Sequence, residues 1–503
     1  MLKSATRRKI ADRLADEHGR IDKNAPRRVG LVYPSPYAVA MSSLGFQRIY
    51  RALQAIPGVA CERAFLPDAE RASSAPLEEP VTYEGLRRLD ELPLLAFSVA
   101  YELELAGVVK MLDLARIPAL REERDERHPF VLAGGPLTFS NPLPLAPFVD
   151  AIVMGEAEGI LESIVESIFA AAGRNAALEQ LARHPNVFVP ALHGKKLASI
   201  AACDNALLPA YSAIVTPHTE LSNMFLIETE RGCSRSCRYC VMRRSTNGGM
   251  RLVPKEVVLE TIPRDARKVG LVGAAVSDHP KITEIVTALA ERGCQVGLSS
   301  LRPDRLKDEF VEALSRAGYR TLTTALDGPS ERLRELIERR GREPNFLAAA
   351  ERARKYGMER LKLYLMIGLP GETDADIDEC VKFVGELSRI IPLALGIAPF
   401  CAKRNTPLDR MPFAGVDLVE ARLQRLRRGL RGRADVRATS ARWAWVEYVL
   451  AQGGEAEGMM LARAVREGGR FADYRRAFAE LGHAPDGAGY AESVLPSVSP
   501  VAG

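Results

Sequence analysis

The chain has 503 residues, 47% hydrophobic and 26% charged, with a net charge of +5. That length exceeds one compact core and favours two or three domains, and the composition is globular, excluding global disorder. The small charge neither demands nor excludes a nucleic-acid partner, and the longest apolar runs, such as Leu92–Val99, are too short to span a bilayer.

The N-terminal twenty residues read as a basic, charged helix. Val29–Tyr33 is a buried-type strand broken by Pro34 and Pro36, followed by a helix over about 42–56. Leu92–Ala100 and Pro129–Pro136 are strands, with a helix over about 102–114 between them, and Phe148–Gly159 is a strand running into a loop. Apolar strands alternating with helices predict a parallel sheet covered on both faces, with functional loops at the strands' carboxyl ends. Residues 25–185 are thus expected to form one doubly wound domain. A proline-punctuated, β-rich connector over 186–221 follows.

A second alternating series has strands at Met224–Glu230, Lys268–Val276, Gln295–Leu301, Thr321–Asp327, Leu361–Pro370 and Leu393–Phe400. Helices such as Glu309–Ala317 and Ser330–Glu338 lie between them. Six such units over 222–415 predict a partial (β/α)6 barrel, whose reactive groups sit at the carboxyl ends of strands. Residues 416–484 read as a helical C-terminal region, and 485–503 as a mobile tail. The fold class is therefore α/β: a doubly wound parallel sheet, a partial barrel and a helical C-terminal region.

Of the eight cysteines only Cys233, Cys237 and Cys240 are closely spaced, immediately after the first barrel strand. That is no disulfide framework, and no secretory signal is present, so a reducing cytoplasm is expected. The spacing C-x3-C-x2-C in a loop opened by Gly232 suits three thiolate corners of an iron–sulfur cube and leaves one iron open. A structural zinc site would need a fourth ligand, usually from a second cysteine pair, and the nearest candidate, His218, precedes the strand. Arg231, Arg235, Arg238, Arg243 and Arg244 crowd the loop. They read equally as a solvated basic loop or as an electropositive mouth for an anionic substrate or electron donor.

The triplet, with Tyr239 just before its last cysteine, resembles the signature of the radical S-adenosylmethionine (SAM) superfamily. LYLMIGLPGET (363–373) is similar to the fifth-strand segment of the subgroup that contains methylthiotransferases and cobalamin-dependent members. QVGLSSLRPDRL (295–306), ALDGPSERLR (325–334) and IAPFCAKRNTPLDRMP (397–412) resemble the third, fourth and sixth segments, in the same order. The resemblance implies a [4Fe–4S] cluster on Cys233, Cys237 and Cys240, with SAM on its open iron. It implies Tyr239 near the adenine, Ser300 and Arg302 at the carboxylate or ribose, and Asp327 near the ribose or substrate. Gly368 and Gly371 would let backbone approach the adenine, or serve turn geometry alone. The family's second strand often carries Gly-Gly-Glu for the methionine amine; here Gly273-Ala274-Ala275 stands there, with Asp278 and His279 further on.

The N-terminal domain resembles the cobalamin-binding domain of cobalamin-dependent radical enzymes. Ser98, the pair Gly134–Gly135 and the segment from Gly155-Glu156 to Glu158-Gly159 carry the likeness. Ser42 stands where an axial histidine would be, so either cobalamin binds without a side-chain ligand or the pocket has been reused.

Cys401, after the sixth strand, is a candidate for covalent substrate binding or hydrogen donation, against burial as a small apolar residue. Lys403 faces substrate or pairs with a carboxylate, and His279 reads as a proton carrier or, preferably, as a loop histidine satisfied by backbone. The resemblance implies radical modification of an unactivated carbon, with methyl transfer if cobalamin is present. It also implies a flavodoxin or ferredoxin as reductant; the short apolar runs lead us to expect no membrane partner, and the substrate stays open. The alternatives are cobalamin-independent, methylthiotransferase-like modification, and a cluster-bearing or cobalamin-binding sensor without catalysis. No second three-cysteine set and no obvious small β-barrel RNA-binding tail argue against methylthiolation.

Overall fold

The computed structural model describes residues 3–68, 78–242, 249–299 and 301–487. Ser300 and most of the expected tail lie outside them, as do Arg243 and Arg244. The chain forms two compact units: Met1–Cys233 with Arg244–Ala274 and Gly453–Ala477, and Ser234–Arg243 with Ala275–Gln452 and Phe478–Gly503.

In the first unit, β1 (Arg27–Tyr33), β2 (Val59–Phe65), β3 (Leu94–Ser98), β4 (Phe130–Gly134), β5 (Ala151–Val153) and β6 (Val187–Phe188) form one sheet in the order β2-β1-β3-β4-β5-β6. All pairs are parallel except β5 with β6. This is the doubly wound order 2-1-3-4-5, whose topological switch point lies between β1 and β3. The helix Leu44–Ala55, capped by the Ser43 hydroxyl accepting from the Phe46 N–H, buries Phe46, Tyr50 and Leu53 in the core around β1 and β2.

β2 is a strand that the hydrophobic pattern misses. Its sequence VACERAF is buried throughout although it carries Glu62 and Arg63. Arg63 is wholly enclosed and bonds Glu17 at 2.7 Å and Glu84 at 2.6 Å, so neutralised charges sit where alternation would demand apolar residues. The connector is likewise less β-rich than expected. It contains β6, the short helix Pro190–His193, and single bridges such as Gly155↔Ala201 and Tyr211↔Ile227.

The same unit holds β7 (Phe225–Glu228), β8 (Glu230–Gly232), β9 (Met250–Leu252) and β10 (Lys268–Val272). β10 runs parallel to β7, and β8 pairs antiparallel with β9. The helix Glu455–Arg466 also belongs here. Asn141 donates to the Gly453 carbonyl at 2.8 Å, and Arg466 pairs with Asp113 at 2.8 Å.

In the second unit, β11 (Gln295–Leu298) precedes a parallel sheet of β12 (Thr321–Asp327), β13 (Arg360–Ile367), β14 (Leu393–Pro399) and β15 (Ala434–Ala438). The four barrel strands expected in this stretch form within a few residues of their predicted bounds. β15 is unexpected, because ADVRA lies in the region read as helical and alternates half-buried with exposed residues. Leu361, Leu363, Leu365 and Ile367 face one side of β13 and are buried, whereas Lys362, Tyr364 and Met366 on the other side are not. The helix Asp374–Leu387 starts on a capping box of Thr373 and Asp376 and buries Ile377, Phe383 and Val384. Among the described residues, no helix is long and apolar enough to cross a membrane.

Candidate functional site

The cysteine loop leaves β8 through Gly232, whose φ of +97° lies in the left-handed region that favours glycine. Cys233 follows and is half-buried. Two residues earlier, Arg231 is held by carboxylates: Glu228 by two bonds of 2.6 and 2.9 Å, Glu158 at 2.8 Å and Glu156 at 3.5 Å. Arg251, directly opposite Arg231 in the β8–β9 ladder, pairs with Glu156 and donates to the Cys203 carbonyl at 2.8 Å. Of the basic cluster, Arg231 is therefore not a solvated cation but the centre of a buried ion network. On the second barrel strand, where the resemblance often finds a glutamate, Gly273 is covered by the buried carboxylate of Glu230 from β8.

In the second unit, the remainder of the loop rests on the segment after the helix Glu331–Leu336. The Arg238 N–H donates to the Ile337 carbonyl at 3.1 Å, and the Ser236 hydroxyl to Glu338 at 2.9 Å. Cys237 is buried, with Sγ 3.9 Å from the Glu338 carbonyl. Tyr239 packs with Leu333, Ile337, Leu369 and Phe400. Burial and then the Asp327 carboxylate, to which its hydroxyl donates, hold Tyr239 well above the ordinary phenol range. Asp327, at the carboxyl end of β12 with φ +62°, pairs with Arg339 at 2.5 Å. Arg339 in turn bonds Cys237. Tyr239, Asp327 and Cys237, all singled out in the sequence, are thus brought together, with Arg339 as the residue that sequence reasoning missed.

Arg302 lies 25 residues before Asp327 in sequence and places its guanidinium on Asp278 at 2.8 Å and on Asp304. Asp278 is almost fully enclosed and also accepts from Ser234 of the cysteine loop at 3.2 Å, with Arg235 at 3.6 Å. This carboxylate ties the loop to the segments after the second and third barrel strands. The neighbouring His279 is buried, its Nδ1 accepting from the Lys281 N–H at 3.1 Å.

Gly368 and Gly371 follow β13 with φ of +80° and +72°. Both need left-handed backbone, so the turn alone accounts for glycine there. Glu372 fastens this turn. It accepts from the Gly368 N–H at 2.9 Å and from Arg422 at 3.0 Å, and burial pushes its carboxyl up to about 7 against the pull of Arg422. Cys401 donates to the Ala444 carbonyl at 3.1 Å, and Lys403 pairs with Glu447 at 2.7 Å.

The residues singled out for cobalamin divide. Ser98 and Gly134 are register partners at the carboxyl ends of β3 and β4. At Gly135, φ is +109°, and a Cβ would lie 2.6 Å from the Val99 carbonyl oxygen. Ser42 lies in the loop after β1, where its hydroxyl donates to the Ala38 carbonyl at 2.8 Å and accepts from the Glu220 N–H at 3.1 Å. Those bonds use the hydroxyl's donor and one of its two acceptor positions. Among the described residues, no three Cys, His, Asp or Glu side chains converge on one metal-sized point. For the cluster the fit rests on the donor set: three thiols within eight residues of one loop, of a softness suited to iron.

Residues 227–384 match the family model of the radical SAM superfamily, and residues 45–190 match that of radical SAM proteins, N-terminal. The chain belongs to the radical SAM superfamily. A protein of Methanocaldococcus jannaschii named uncharacterized protein MJ0966 is 28% identical over 341 residues, which cover 66% of this chain and 71% of that one. The ribosomal protein uS12 methylthiotransferase RimO of Geobacter sulfurreducens is 26% identical over 217 residues, 40% of this chain and 47% of that one. Among solved structures, the cobalamin-dependent radical SAM enzyme OxsB with aqua-cobalamin bound superposes with a TM-score of 0.51 at 11% identity, over 73% of this chain and 53% of that one. The likeness to OxsB shows a shared fold. The chain spans about half the length of the RimO and OxsB proteins it matches.

Proposed function

We propose that this radical SAM protein is an enzyme that cleaves SAM reductively and uses the resulting radical on an unactivated carbon. The observation that carries the reading is the cysteine loop itself, three thiols on eight residues inside a radical SAM domain. Cys233, Cys237 and Cys240 would hold a [4Fe–4S] cluster, which would supply the electron for reductive cleavage of SAM. The chain's own residues hold and exclude. Asp278 and Asp327 fix the loop from two strand ends, and Arg302, a residue type suited to a carboxylate, is held there by Asp278 and Asp304. Tyr239 supplies a buried ring. A flavodoxin or ferredoxin is the class of donor this chemistry needs, and a reducing cytoplasm is the compartment that suits it.

The finer reading is cobalamin-dependent methyl transfer. It is supported by the 2-1-3-4-5 sheet order, by Ser98 and Gly134 at its carboxyl edge, and by the likeness in fold to OxsB. A serine hydroxyl is a poor cobalt ligand beside an imidazole, so the corrinoid would take no side-chain ligand from Ser42. Methylthiolation, the activity named for RimO, is less favoured: the only cysteine within 25–185 is Cys61, buried on β2.

The test is anaerobic reconstitution, then reductant and SAM, with chromatography for 5′-deoxyadenosine. Formation of 5′-deoxyadenosine supports the enzyme; a loaded cluster that yields none points to the sensor. Purification with added hydroxocobalamin and an absorbance spectrum separates the finer readings: a retained corrinoid band supports methyl transfer, and its loss on desalting removes that support.

A further inference from the structure

The cysteine loop connects the two strands of a small antiparallel ribbon, β8 and β9, and the ribbon holds two arginines face to face. Arg231 and Arg251 are register partners one position from the loop, and neither is much exposed. Like charges directly opposite each other in a ladder repel and open it unless they are compensated. Here Glu228, at the end of β7, takes Arg231 by two bonds of 2.6 and 2.9 Å, and the remaining compensation comes from farther away in the chain. Glu156 and Glu158 lie in the turn after β5, at the carboxyl edge of the N-terminal sheet, about 75 residues before Arg231. Glu158 pairs with Arg231 at 2.8 Å, and Glu156 reaches both arginines. Glu156 is anchored in turn by the Cys203 N–H at 2.8 Å and the Glu228 carboxylate by the Ala210 N–H at 2.9 Å. The carboxylates' side chains are at most 10% exposed, so water screens these pairs little. Arg48 is the other cation facing Glu158, at 4.0 Å.

We propose that Glu156 and Glu158 are positioning residues for the cluster loop: they clamp the Arg231–Arg251 pair at its base and so fix where the chain enters at Cys233. The segment that resembles the end of a cobalamin domain thereby acquires a task independent of any corrinoid. It ties the N-terminal sheet to the ribbon from which the loop departs at Cys233. The inference rests on the reading that Cys233, Cys237 and Cys240 hold the cluster.

The test compares the full-length chain with Glu156→Gln/Glu158→Gln, with the single variant Glu158→Gln, and with Asp150→Asn. Asp150 precedes β5 at the sheet's opposite edge, where it pairs with buried Arg124 at 3.4 Å and with Arg174 at 2.6 Å. It therefore controls for loss of a buried carboxylate without touching the ribbon. Two readouts are taken: the rate at which a chelator strips iron from the reconstituted protein, and amide hydrogen exchange of 230–232 in the cluster-free protein. The double variant is expected to lose iron about tenfold faster and to exchange at 230–232 about tenfold faster, with Asp150→Asn within about twofold of the parent on both. The single variant is expected to fall between and keeps the test decisive should the double variant not fold. Unchanged exchange at 230–232 in the glutamate variants, or an equal rise in Asp150→Asn, overturns the clamp. A parent protein that takes up no iron strikes instead at the cluster reading, and the exchange result still decides the clamp.

Discussion

Cys237 at the site is set by charges that the sequence scatters widely. Asp327, Arg339 and Tyr239 form one buried cluster around it, although Asp327 and Tyr239 are 88 residues apart. Asp327→Asn leaves Arg339 with an uncompensated charge, and unfolding by denaturant should show a loss of about 3 kcal/mol; a loss below about 1 kcal/mol would mean that the pair is solvated. Glu372 gives a prediction in pH. Its carboxyl rises on folding from an ordinary 4.5 to about 7 because burial disfavours the anion. Folding therefore retains the proton, and the stability this brings is fully present below about pH 4.5 and lost as pH rises through 7. At about 1.4 kcal/mol per pH unit the span is about 3 kcal/mol. Glu372→Gln should flatten that part of the stability-against-pH curve; an equally steep slope in the variant would assign it to another group.

The elements that sequence revealed and those it hid differ in how they are buried. β12, β13 and β14 are apolar on at least one face and were found within a residue or a few of their ends. β2 hid because its burial is bought with ion pairs, Arg63 to Glu17 and Glu84, rather than with apolar side chains. β9 hid because it is only three residues long, and β15 because Asp435 and Arg437 interrupt its apolar residues. For the site, spacing alone disclosed the cysteines, and glycine signals disclosed the turn at Gly368 and Gly371. Arg339 and the Glu156–Glu158 clamp were out of reach, because a local reading offers no link between GEAEG and an arginine about 75 residues later. Helix Glu455–Arg466 supplies an element-scale test. Gly458 sits where a Cβ would overlap the Pro144 carbonyl oxygen, so the helix lies against backbone. Gly458→Val should cost about 2–3 kcal/mol in urea unfolding; a neutral result would mean that this helix does not pack on the 143–148 segment.

At the scale of the whole chain, residues 453–477 belong to the same compact unit as the N-terminal sheet and the first strands of the radical SAM domain. The order of elements along the sequence therefore does not map onto independent modules. Truncation before Gly453 should expose the surface of Leu143–Phe148 and the helix Leu105–Leu114, and limited proteolysis should then cut the N-terminal domain faster than in the full chain. An unchanged digestion pattern would show that the segment is dispensable to that unit.

The proposed chemistry depends on one cluster iron that no cysteine holds. Electron paramagnetic resonance of the reduced, reconstituted protein, recorded with and without SAM, reads it directly. A four-iron spectrum whose g-values shift when SAM is added, and which is lost in Cys233→Ala, Cys237→Ala and Cys240→Ala, is the predicted result. A four-iron spectrum indifferent to saturating SAM, or a chain that binds one zinc and no iron, would contradict it.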